Sequence, residues 1–133
     1  LGSVGGAQLA MERALEYAKQ RQAFGQPIAN FQVIAHYFAD MQTKIAAGKA
    51  LTYHALKLFV EGKNPIKEAS MAKLYSARMA CEVVDTCLQI YGGYGFMEEY
   101  DIARSYRDIR LMPIGGGTDE VMKEIISRMM GLG

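Results

Sequence analysis

Three groups of residues in this sequence have the types and spacing that chemistry needs. The first is a pair of glycine turns, Gly92-Gly93 and Gly115-Gly116-Gly117, the second leading into Thr118-Asp119-Glu120. Glycine in a structured turn costs conformational entropy, so something must come close to the backbone or the chain must need an unusual dihedral there. Two readings stand side by side: a helix C-cap with a tight connection, or exposed N–H groups beside a helix N-terminus that meet an anionic or polar cofactor. The second group is basic, Arg21 and the run Arg104, Arg107, Arg110. The run lies beside Asp101 and Asp108 and reads as a salt-bridged surface helix. The third is the set of metal-type and acid–base-type side chains. His36 and His54 are eighteen positions apart on one long helix and cannot share a metal. Cys81 and Cys87 lack metal spacing, so no zinc or iron site is expected. GGYGF follows a helix and not a strand, and Gly115–Gly117 lacks the Lys-Ser/Thr pair of a phosphate loop, so neither nucleotide motif holds.

Composition bounds what surrounds these groups. The chain has 133 residues, half of them apolar and 22% charged, with a net charge of +1. That is a one-domain globular composition without the basic excess of a nucleic-acid binder. No apolar run approaches the ~20 residues that span a bilayer. Residues 1–6 carry neither a basic leader nor a long apolar core, so no signal peptide is expected. Cys81 and Cys87 fall on different faces of one helical pattern, which points to reduced thiols and an intracellular setting. The chain opens at Leu1 with helical periodicity almost at once, and only Ser3 offers an N-cap, so it reads as a piece of a longer polypeptide.

The elements follow from periodicity. Val4, Ala7, Met11, Leu15 and Ala18 predict an amphipathic helix over 3–21. Gly25 and Pro27 interrupt it, and a long helix is expected over 28–61, with Phe31, Ile34, Phe38, Met41, Ile45, Thr52, Ala55 and Phe59 along one side. Gly62 is its expected C-cap, and Asn64-Pro65 the start signal of a helix over 65–91. That third helix should turn Ala69, Ala72, Ala77, Ala80, Val83, Val84, Cys87 and Tyr91 inward. A short helix is expected over 101–110 and a last one over 118–130, closed by Gly131. No stretch alternates with period two, so no sheet is expected. The fold class is all-α: an antiparallel, up-and-down four-helix bundle with a short extra helix. Asp40, Glu12, Glu16 and Glu61 read as solvated charges, and the nine methionines as adaptable core.

Four motifs occur in order: Arg21-x-x-Phe24-Gly25, Phe31-Gln32, Gln89-Ile90-Tyr91-Gly92-Gly93-Tyr94-Gly95-Phe96, and Arg107-Asp108 leading to Ile114-x-x-Gly117-Thr118-x-Glu120. Each alone is weak. Together, at these separations, they make residues 1–133 closely resemble the C-terminal helical domain of the acyl-CoA dehydrogenases. The resemblance implies a parent with an N-terminal helical domain, a middle β domain and this C-terminal bundle. It implies a dimer or tetramer with FAD at subunit boundaries. Arg21 and Phe24 then reach the FAD of a neighbouring subunit, and Gln32 approaches the same cofactor. Gln89, Gly92 and Gly93 lie against its adenine side, and Thr118 and Glu120 start a helix next to it.

The implied reaction is α,β-dehydrogenation of an acyl-CoA thioester to the trans-2-enoyl-CoA, with electrons leaving through an electron-transfer flavoprotein. A carboxylate takes the α proton, and hydrogen bonds to the thioester carbonyl stabilise the developing enolate charge. Most members carry that carboxylate as a Glu before Gly-Thr, whereas Gly116 stands there in this chain. Members of the isovaleryl and long-chain types also lack it and draw the base from the start of the helix before R-x-x-F-G. The base is therefore expected upstream of Leu1; Asp119 and Glu120 are not expected to serve. The compartment implied is bacterial cytoplasm or mitochondrial matrix. Two alternatives remain: a helical interaction module without catalysis, or a family member turned to other flavin chemistry.

Overall fold

The computed structural model describes residues 1–133 as five α-helices and one minimal strand pair. Helix α1 spans Gly2–Gln20, α2 Gln32–Val60, α3 Ile66–Tyr91, α4 Asp101–Ile109 and α5 Asp119–Met129. Strands β1 (Gln22–Ala23) and β2 (Gln26–Pro27) pair antiparallel around Phe24-Gly25. The expectation of no sheet is corrected here, though two residues a side are too few to carry a period-two pattern. The all-α bundle stands.

Helix α3 is the axis, with α1, α2, α4 and α5 packed around it. Its alanines explain why. Ala80 of α3 and Ala7, Ala10, Ala14 and Ala18 of α1 are buried in one shared core, so the two backbones approach closely. Met41 and Ile45 of α2, Met79, Val83, Val84, Cys87 and Ile90 of α3, and Ile102 of α4 complete one continuous core. Gly48 of α2 belongs to the same crossing, because an added Cβ would sit 3.0 Å from the Met79 Cε.

Several boundaries move, for local reasons. Ser3 does not cap α1, whose N-cap is Leu1 with no side-chain bond. Residues Ile28–Asn30 form a 3-10 turn, and α2 begins only after Phe31, whose extended backbone breaks the helix expected from residue 28. Phe59 is 68% exposed and Ala69 is exposed, so both inward assignments fail. They lie near the α2–α3 connection, where no further helix covers them. The stops are as expected. Gly62 takes φ +72° while the Lys63 N–H bonds the Leu58 carbonyl, and Gly131 takes φ +78° while the Leu132 N–H bonds the Ser127 carbonyl. Both are Schellman closures that need a left-handed residue. The Asn64 Oδ1 accepts from the Ile66 N–H at 3.2 Å, but Pro65 is the N-cap and α3 begins at Ile66, so the start signal lies one residue earlier than the helix it opens.

Candidate functional site

The glycine turns do not form one site. Gly92-Gly93 follows the end of α3, whereas Gly115–Gly117 is fastened to its first half. Lys73 donates to the Gly117 carbonyl, and Arg78 pairs with Asp119. Arg78 and Gly92 are 14 positions apart on the helix, roughly 20 Å at about 1.5 Å per residue. The eight predicted cofactor residues thus fall into two patches, with Thr118 and Glu120 separate from the others. Sequence adjacency suggested one unit; the ties from Lys73 and Arg78 hold the second turn along the first half of α3, away from the helix end where the first turn lies.

At the first patch, a groove of about 520 Å³ is lined by Tyr17, Arg21, Ile28, Tyr91, Gly92, Gly93, Tyr94 and Met97 among others. It joins the end of α1 to the end of α3, so Arg21 and the Gly92-Gly93 pair, 71 positions apart in sequence, share one wall. The glycines differ in why they are glycine. Gly92 has φ +59° with ψ −135°, a conformation that the chain itself requires. Gly93 has no positive φ, and an added Cβ would meet nothing within 4 Å. The fold does not need Gly93 to be bare, and its open side faces the groove.

Arg21 carries no ion pair, and its guanidinium lies over the Tyr94 ring at 5.3 Å from the centroid. Phe24 sits at the tip of the β1–β2 turn, 96% exposed and at φ +51°. A bulky residue in left-handed backbone with its ring in solvent costs stability and gains little from this chain, apart from an edge contact with Phe31 at 6.2 Å. Such a residue points to a contact made outside the chain. Gln32, the first residue of α2, and Gln89, near the end of α3, are exposed but do not line the groove.

The second patch is the start of α5. Thr118 is the N-cap, its Oγ1 accepting from the Val121 N–H at 3.4 Å. The Glu120 carboxyl is held below the usual range, chiefly by its own backbone N–H and then by the Thr118 hydroxyl. Gly116 and Gly117 have φ +65° and +100°, so both answer to backbone need. Asp119 is 1% exposed and its Oδ2 is taken by Arg78, leaving Oδ1 without a partner. A carboxylate committed in this way is a clip between α3 and α5, and sequence reading missed it because Arg78 is 41 positions away.

One further expectation is corrected. Asp101 pairs mainly with Arg13 of α1 at 2.8 Å and only loosely with Arg104 at 3.8 Å, while Arg107, Arg110 and Asp108 make no ion pair. The presumed network inside α4 is instead one bridge across to α1. His36 and His54 are both exposed on α2. No helix is long and apolar enough to cross a membrane.

Comparison with known proteins follows from this arrangement. The family model described as acyl-CoA dehydrogenase, C-terminal domain, matches residues 1–131. The chain belongs to the acyl-CoA dehydrogenase family. It is 47% identical over 128 residues to the caffeyl-CoA reductase-Etf complex subunit CarC of Acetobacterium woodii, covering 96% of this chain and 34% of that protein. The crystal structure of acyl-CoA dehydrogenase from Geobacillus kaustophilus superposes with a TM-score of 0.95 at 40% identity, covering 98% of this chain and 34% of that one. The FAD complex of PigA superposes with a TM-score of 0.92 at 31% identity, again over 98% and 34%. The chain thus spans about a third of the length of the family members it matches.

Proposed function

We propose that this chain is the C-terminal bundle of an FAD-dependent acyl-CoA dehydrogenase, holding the flavin but not supplying the proton acceptor. The observation that carries the reading is the groove whose wall holds both an unpaired Arg21 and a bare Gly93, with Phe24 exposed three residues beyond Arg21. These residues fit a dinucleotide. A guanidinium offers a permanently charged fork to a pyrophosphate, the missing side chain admits a flat group against the backbone, and the phenylalanine gives an apolar edge. Arg21, Phe24, Gln32, Gln89, Gly92 and Gly93 would hold one flavin, and Thr118 with Glu120 would approach a flavin from the other patch. Because the two patches are separate, full enclosure of a flavin calls for a second copy of the chain. The fold neighbour solved as an FAD complex supports the same cofactor.

Bound FAD supplies the hydride acceptor for the β hydrogen of an acyl-CoA. The α proton needs a carboxylate, and these residues offer none in the usual place: Gly116 has no side chain and Asp119 is committed to Arg78. The base is therefore supplied from outside residues 1–133. Exposed Tyr53, Leu56, Phe59 and Val60 leave an apolar strip on α2 that a dimer or tetramer would cover. The electron acceptor would be an electron-transfer flavoprotein, in line with the complex for which CarC is named.

A second reading differs only in direction. The likeness to a caffeyl-CoA reductase subunit favours reduction of a 2-enoyl thioester by the reverse steps. Mixing the chain alone with acyl-CoA, FAD and an electron-accepting dye should give no turnover, and turnover would overturn the missing-base argument. In the full-length protein, Arg21→Gln should lower flavin affinity. Unchanged affinity would remove the groove from the cofactor site.

A further inference from the structure

Tyr17 of α1 and three tyrosines from the stretch 91–100 form a continuous ladder of rings that ends under Arg21. Tyr17 of α1 stacks on Tyr91 of α3, with centroids 4.2 Å apart and planes at 19°. Tyr91 meets Tyr100 edge-on at 5.9 Å, and Tyr100 stacks on Tyr94 at 5.1 Å and 16°. Tyr94 then presents its ring to the Arg21 guanidinium. The foot of the ladder is anchored: Tyr17 and Tyr91 pack against the core, and the Tyr17 hydroxyl donates to the Tyr91 carbonyl at 3.4 Å. At its top, Tyr94 lies in a 3-10 turn directly after two glycines and is 38% exposed, so the stack on core-packed Tyr100 is what holds its ring.

This arrangement has a physical consequence for Arg21. A free arginine side chain samples many rotamers and loses that freedom when one is selected. An ion pair would select one but occupy the donors. A ring face selects one while leaving the N–H groups at the guanidinium edge available, because the attraction is to the quadrupole and not to an acceptor atom. We propose that Tyr94, held in place by its stack on Tyr100, is a positioning residue that pre-sets the Arg21 guanidinium for the phosphates of the dinucleotide. The inference rests on the flavin reading above and gives a role to Tyr94, a motif residue to which that reading assigns none.

The test is a double-mutant cycle in the full-length protein, stripped of flavin and retitrated with FAD, with affinity read from flavin fluorescence. Tyr94→Leu should weaken binding about threefold to tenfold, the range expected of a partly desolvated cation–π contact. Tyr94→Phe should stay within about twofold, since the ring face is kept. In an Arg21→Gln background, Tyr94→Leu should have almost no further effect. Equal losses in both backgrounds, or equal losses for Leu and Phe, would overturn the proposal while leaving the flavin reading intact. A wild-type protein that binds no FAD would overturn the flavin reading itself. If Tyr94→Leu disturbs folding by circular dichroism, mono-, di- and trifluorophenylalanine at position 94 keep the size and drain the ring face. Affinity should fall with each fluorine, and a flat series would refute the cation–π role.

Discussion

Removing Arg78 should destabilise the bundle more than removing Asp119, although Arg78 is the more exposed partner. The Arg78 side chain is 57% exposed and that of Asp119 is 1% exposed. In Asp119→Ala, the lost charge-assisted hydrogen bond is worth about 1.5–3 kcal/mol and the lost helix-dipole contact about 0.3–1 kcal/mol. Against this, a buried carboxylate with an unpartnered Oδ1 no longer has to be desolvated, and the released guanidinium is solvated. The net cost should be about 1–2 kcal/mol. In Arg78→Ala, the carboxylate stays buried with no partner on either oxygen, which costs about 3–5 kcal/mol. Urea unfolding followed by far-UV circular dichroism at pH 7 measures both variants. Equal costs for the two variants, or a larger cost for Asp119→Ala, would refute the reasoning.

Other outcomes follow from the same geometry. Gly95→Ala should cost at least about 2 kcal/mol, because its Cβ would lie 2.6 Å from the Leu88 carbonyl oxygen. Gly93→Ala should leave urea stability within about 0.5 kcal/mol yet weaken FAD binding, since its space is open only to a ligand. Burial pushes the Cys87 thiol up to about 12 from an ordinary 9.0. The folded state therefore favours the neutral thiol, and this group's contribution is intact below pH 9 and lost between pH 9 and 12, at about 1.4 kcal/mol per unit. Pulse alkylation of the native chain should accordingly modify Cys81, which is only part-buried, well before Cys87. Phe24→Gly should leave stability within about 1 kcal/mol, because relief of the φ +51° strain offsets added chain entropy, while lowering FAD affinity.

The sequence by itself determined the helices, their stops and the bundle. Local forces set these: the three- and four-residue spacing of Val4, Ala7, Met11 and Ala18, the left-handed glycines at 62 and 131, and the alanines that let α3 become the axis. It also determined the family, through motifs whose order survives however the chain folds. Tertiary structure alone decided which of those residues meet. Arg21 and Gly93 share a groove because α1 and α3 lie side by side, whereas Thr118 and Glu120, close to Gly93 in sequence, are held away by α3 and α4. Asp119 could not be told from a solvated carboxylate until Arg78 was placed across from it. Three rings of the tyrosine ladder, Tyr91, Tyr94 and Tyr100, lie within ten residues, but Tyr17 and the Arg21 that caps it come from 70 or more positions away, so only packing completes it. Backbone preference acts over a few residues and is written locally. Burial, ion pairing and ring stacking act between residues far apart in sequence, and so exist only once the helices have packed.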